Sequence, residues 1–194
     1  ESKDEKRTFR KELVTVDTSQ VSAVHIYPQS MAGQVIKMEK QGDGWQLSSP
    51  DTSALMSTAD FNGLFGNILN IKPKRLVSRN AGKHAEYKLD EAQATKIQVM
   101  EGDKTTLDLW VGKFDFQQPK PMPNQPPQMQ QQQQQPIMTS YVRLGSEDDI
   151  YAVEGILNMI FNRKATEFFP KKPAANAAPP TAVPGNTTLP LGGG

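Results

Sequence analysis

The side chains that most often carry chemistry are sparse in this chain. His25 and His84 are its only histidines, and cysteine is absent. Without Cys there is no disulfide, no thiolate metal site and no cysteine nucleophile. Neither histidine has a second His or a carboxylate at helical ligand spacing, whereas a zinc site needs at least three protein ligands. Both therefore read as structural or solvated, and no metal or cofactor is expected. The acidic run Glu147-Asp148-Asp149 lacks the alternating ligands and the glycine of a calcium loop, and reads as a solvated turn. The nearest approach to a phosphate-binding loop is Gly63-Leu64-Phe65-Gly66, which falls inside a helical pattern and cannot cradle phosphate there. No serine-nucleophile motif occurs. The expectation is a protein that is not an enzyme, with no catalytic residue.

Binding residues are easier to nominate. By strand alternation Trp110 points away from Leu109 and Val111, and Tyr141 and Arg143 point away from Val142 and Leu144. Tyr27, His25 and Tyr151 are expected on that same outer face. Aromatics beside an arginine on a flat sheet can bind a glycan or an extended peptide. The ordinary alternative, which we favour, is that they form cross-strand pairs or lie beneath a connecting segment. Residues 72–88 hold Lys72, Lys74, Arg75, Arg79, Lys83 and Lys88 against Glu86 alone. Such a basic surface suits anionic lipid headgroups, although a solvated loop is the plainer reading. Nucleic acid fits less well, because Tyr87 is the single aromatic available for stacking.

The elements that position these residues follow from periodicity. Thr95–Met100 and Thr105–Val111 alternate polar and apolar around Glu101-Gly102-Asp103-Lys104, an antiparallel hairpin with Ile97, Val99, Leu107, Leu109 and Val111 on one face. Upstream, Val24 and Ile26 share one side of a strand that Pro28 stops. Gln34–Lys40 and Trp45–Ser48 continue a meander whose connections are too short for parallel crossovers. Ser57-Thr58-Ala59-Asp60 is a capping box ahead of the helical stripe Phe61, Leu64, Phe65, Ile68 and Leu69. Gly63 and Gly66 within it cost up to about 1 kcal/mol each relative to Ala, which a close backbone approach would offset. Pro73 ends the helical region, Arg75–Ser78 is a short strand, and residues 81–90 read as a loop with one helical turn. Tyr141–Leu144 and Ile150–Val153 resume the sheet, and a second helix over 155–168 carries Ile156, Leu157, Ile160 and Phe161.

Three stretches have little to bury. Residues 1–20 read as a charged tether, with Leu13-Val14-Thr15-Val16 as a short edge segment. The Pro/Gln-rich insertion over 113–138, including six glutamines from Gln130 to Gln135, reads as a disordered or polyproline-like loop. Lengthening a turn to a loop of about 26 residues costs only about 2 kcal/mol, which a domain tolerates. Pro123-Asn124-Gln125-Pro126 fits a polyproline-reader motif, but a spacer is the simpler role. Residues 170–194 read as a disordered Pro/Ala/Gly tail. The fold expected is α+β: one mainly antiparallel, twisted sheet over residues 21–169, with two helices on one face.

Length and charge narrow the class further. The chain has 194 residues and a net charge of +1, so one domain with appendages is expected and no global field draws nucleic acid. No apolar run approaches the roughly 18 residues that span a bilayer. The chain opens on Glu1 in a charged lead, which we read as a start from which a signal peptide or anchor has been removed; trimming of a floppy start is the alternative.

The succession of motifs resembles a bacterial family catalogued as domain of unknown function 4340. The resemblance rests on Gly44-Trp45-Gln46-Leu47 followed by Pro50, the Asp60–Leu69 helix, Tyr87-Lys88-Leu89-Asp90 before a strand, Leu107-Asp108-Leu109-Trp110-Val111-Gly112, and Tyr141-Val142-Arg143 leading to Ile150-Tyr151-Ala152-Val153. It covers residues 21–169 without the insertion. Two departures stand out: Lys88 occupies a position where the family usually has Gly, and the insertion splits two strands normally joined closely. The resemblance implies a periplasmic or cell-envelope location behind an N-terminal anchor. It implies partners in a membrane complex, among them ABC-type transport systems and those linked to gliding motility. It implies no catalytic residues.

Overall fold

A computed structural model describes residues 10–118 and 136–169. The expectations for residues 1–9, for most of the Pro/Gln insertion with its polyproline motif, and for the 170–194 tail lie outside the described residues.

The described chain is α+β, built on one antiparallel sheet of nine strands. In chain order these are β1 (Val21–Tyr27), β2 (Ile36–Gln41), β3 (Gly44–Ser49), β4 (Thr52–Ser57), β5 (Pro73–Ser78), β6 (Thr95–Glu101), β7 (Lys104–Gln117), β8 (Ile137–Leu144) and β9 (Ile150–Glu154). Their order across the sheet is β4-β3-β2-β1-β6-β7-β8-β9-β5. Helix α1 (Thr58–Leu69) follows β4, and the short helix α2 (Leu157–Phe161) follows β9.

Alternation dictates the inner face. Val24, Ile26, Met38, Leu47, Ile97, Val99, Leu109, Val111 and Val142 are all buried in one cluster with Phe61, Phe65 and Ile68 of α1 and Leu157 and Phe161 of α2. Each such side chain contributes about 1.5–3 kcal/mol through the water it sheds. The Trp45 and Phe61 rings lie nearly parallel, and Phe61 stacks in turn on Phe65. The N-cap half of the box forms: the Asp60 N–H donates to Ser57 Oγ at 3.1 Å, satisfying one free helix N–H, while the Asp60 carboxylate accepts from the Ser57 hydroxyl at 2.6 Å.

Several expectations need correction. Residues 13–20 are not part of a tether, since Leu13 is buried in the main core with Val14 and Val16 packed on it; nor do residues 13–16 form a strand. Strand β4 has no counterpart in the sequence reading. The 113–138 loop is shorter than expected, because β7 runs on to Gln117 and β8 begins at Ile137. The expected 155–168 helix is instead a five-residue α2 and a 3-10 turn at Ala165–Phe168, with Asn162 (φ −87°, ψ 67°) leaving helical geometry between them. A Cβ placed on Gly63 or Gly66 would meet no atom within 4 Å, so no close backbone offsets their cost. No helix among the described residues is long and apolar enough to cross a membrane.

Candidate functional site

On the outer face, four neighbouring strands place Tyr27 opposite Lys96, Lys96 opposite Trp110, and Trp110 opposite Arg143. Register alone therefore builds one row of side chains. Lys96 Nζ lies 4.2 Å from the Trp110 ring centre and the Arg143 guanidinium 3.8 Å, so the indole is held between two cations. The indole N–H donates to Asp108 Oδ1 at 3.1 Å.

The loop before β6 closes over this row. Leu89 is buried in a second cluster with Tyr141, Ile150 and Ala152, against which Tyr87, Val77 and Trp110 pack. Arg143 is only 8% exposed, and its Nε–H donates to the Leu89 carbonyl at 2.9 Å. Its Nη1 reaches the carbonyls of Leu144, Gly145 and Glu147 at 3.3–3.5 Å. Burial pulls the guanidinium below its ordinary value, while Asp108 and Asp148 push the other way. The Tyr87 and Tyr141 rings meet at 4.7 Å, with Lys113 over both. Burial first, and then the bond from its hydroxyl to Asp115 Oδ2 at 2.8 Å, holds Tyr141 above the usual tyrosine range.

Two backbone features let the loop lie so close. A bulge in β7 falls between Val111 and Phe114, and there the Lys113 N–H donates to the Tyr87 carbonyl at 2.9 Å. At Gly112 a Cβ would come within 2.1 Å of that carbonyl oxygen. Lys88 takes φ 55°, the left-handed region that glycine favours, at the position where the resembled family usually carries Gly.

Of the nominated residues, Trp110, Tyr141 and Arg143 are brought together and Tyr27 ends the row. Trp110, Tyr141 and Arg143 lie in cross-strand contacts with Lys96 and Lys113 and pack against Tyr87 and Leu89 of the connecting segment, while Tyr27 and Trp110 stay half-exposed. Tyr151 does not belong to the row: it is buried with the α1 and α2 side of the sheet, opposite Val142 and Leu76. Strand β9 is covered on both faces, and its unbroken apolar run hides which way each residue points.

The basic residues line the β5 edge. Lys72 and Arg75 are exposed, Lys74 pairs with Glu154, and Arg79 lies 3.9 Å from Asp149. The acidic run is engaged likewise, with Glu147 paired to Arg10. Among the described residues no three His, Asp or Glu side chains assemble as a metal site. A cavity of about 470 Å³ beside Gly112 is lined by Gln29, Lys88, Gln93, Phe114, Asn158 and Asn162. Its asparagines already serve the backbone: Asn158 Nδ2 donates to the Gly112 carbonyl at 2.6 Å, and Asn162 Oδ1 accepts from the Ser30 N–H at 2.8 Å.

The sequence reading missed one exposed apolar feature. Beyond the bulge, β7 and β8 continue as a paired arm carrying Phe114, Phe116 and Ile137, of which Phe116 is 56% exposed. The Phe114-Asp115-Phe116 alternation signals it, but ending the strand at Gly112 hid it.

The fold and site define an α+β domain with a nine-stranded antiparallel sheet and a loop-closed outer face. No family model, curated protein or solved structure matches the chain.

Proposed function

We propose that this chain is a non-enzymatic docking domain of the cell envelope, an extracytoplasmic accessory or assembly component of a membrane complex. The observation that carries the reading is the β7–β8 arm, which holds Phe114 and Phe116 in water on one face of a hydrogen-bonded ladder, their ring centres 5.4 Å apart, with Ile137 exposed on the other face. Clustered exposed apolar side chains on a rigid support are what a docking surface presents. The resemblance described above adds the envelope location and an ABC-type transporter as the partner class. The basic β5 edge, with Lys72 and Arg75 in water, suits a position close to anionic headgroups.

We also read the sheet as twisted. The chain passes from β4 at one edge to β5 at the other through the 12 residues of α1 and three more. That path spans about 28 Å, counting about 1.5 Å per helical residue and about 3.3 Å per extended one, against roughly 38 Å for nine flat strands. Twisting or curling would bring the edges within reach.

The test is a photo-reactive amino acid at Phe116, activated in membranes of the native host and analysed by mass spectrometry. The reading expects an adduct with an integral membrane protein, lost when the probe is moved to Lys104. Adducts with no membrane protein, at either position, would overturn it.

A further inference from the structure

The sheet ends in two unlike edges. Strand β5 opens with Pro73, carries Lys74 and Arg75, and pairs with β9 through two register irregularities. Proline, charge and irregularity are the usual means of blocking an edge. Strand β4, Thr52-Ser53-Ala54-Leu55-Met56-Ser57, has none of them, and pairs with β3 over six consecutive residues without a shift. Its second side meets no strand among the described residues, and Leu55 is 74% exposed.

From this we infer that β4 is a self-association edge, pairing antiparallel with β4 of a second copy across a two-fold axis to continue the sheet through both chains. The register follows from the hairpin. Ser49 and Thr52 close a two-residue turn and so form a hydrogen-bonded pair with β3. Alternation then turns the N–H and C=O groups of Thr52, Ala54 and Met56 toward β3, and those of Ser53 and Leu55, with the Ser57 N–H, toward the open edge; the Ser57 carbonyl, at the N-cap, accepts the first bond of α1. Two-fold pairing through the open groups sets Leu55 against Leu55 of the other copy, and Ser53 against its Ser57. About four main-chain hydrogen bonds form, two at the Leu55 pair and one at each Ser53–Ser57 pair. The most exposed apolar side chain of the edge then meets its own equivalent on the same face.

Charge favours a second copy over a foreign strand. No residue of β4 is charged, so self-pairing opposes no like charges, and nothing on the strand selects a charged peptide. Beyond the strand the same register sets Asp51, at the turn, near the first turn of α1 in the other copy, where Asp60 already meets the positive end of the helix dipole, so the turn adds no attraction of its own. The contact is isologous and closes on itself, giving a dimer rather than a fibre. This inference is independent of the docking role of the β7–β8 arm.

Sedimentation equilibrium on the full 194-residue chain tests it, beside Ser53→Pro and Leu55→Lys. The Ser53 N–H points away from β3, so proline is compatible with the monomer but sets its ring at the new interface. The expected results are a two-chain mass for the parent and dimerisation weakened at least about tenfold in each variant, with thermal midpoints close to the parent's. Because the chain has no other thiol, Leu55→Cys should join two copies through a short thiol-to-thiol cross-linker. A parent that stays single at every concentration would overturn the inference. So would a dimer that both variants leave intact, or one that the cross-linker fails to join in the Leu55→Cys chain.

Discussion

Beneath α1 and α2 the sheet meets Phe61, Phe65, Ile68 and Phe161, apolar side chains filling apolar space. On the opposite face it meets residues 84–94, held by one guanidinium on a main-chain carbonyl, an indole between two cations, and a glycine that admits the Tyr87 carbonyl. The first arrangement gains from area and tolerates changes of shape, because its energy is spread over many contacts. The second depends on a few directional bonds in a poorly hydrated setting, where each lost partner strands another polar group.

The largest effect is expected from Arg143→Ala, which leaves the buried Leu89 carbonyl without its donor and bares one side of Trp110. Urea unfolding should show a loss of about 3 kcal/mol. An effect no larger than that of an exposed arginine would remove the distinction between the faces. Gly112→Ala comes next: its methyl group cannot share space with the Tyr87 carbonyl, and the loop must lift, at a cost of about 2 kcal/mol by the same measurement. On the helical side, Gly63→Ala and Gly66→Ala should each raise stability by up to about 1 kcal/mol, since both positions are open and helical.

The smallest effect is a pH dependence on the outer face. Burial, and then the nearby Lys37 charge, holds His25 below the ordinary histidine value near 6.5, with Glu39 opposing. The unfolded chain therefore binds the proton more readily than the folded one. This contribution to stability is fully present above about pH 6.5 and is lost as pH falls toward the lowered folded value. Thermal midpoints between about pH 5 and 8 should show this slope in the parent and less of it in His25→Gln.

The helical face was readable from the chain because its signals are periodic. Phe61, Phe65 and Ile68 recur at helical spacing behind Ser57 and Asp60, and the β6 and β7 residues alternate cleanly. Strand β4 was not, because its small inward residue Ala54 is outweighed by Leu55 pointing to water, which reverses the usual pattern. The roof over Trp110 was hidden for another reason: Tyr87 and Leu89 are two apolar residues in a polar loop, and their target is set by the β7 bulge rather than by any local repeat. Leu13, Val14 and Val16 alternate too briefly beside a charged lead to tell an edge segment from the core anchor they form.

Amide hydrogen exchange in the parent and in Arg143→Ala bears most directly on whether that roof is a separately held unit. In the parent, the Leu89 N–H donates to His84 O at 2.7 Å and the Lys113 N–H to Tyr87 O. Loss of the guanidinium should bring the Leu89 amide close to its unprotected rate, while Leu47 and Ile97 in the core still exchange slowly. A Leu89 amide that keeps its protection, or that falls only in step with the core, would contradict the account.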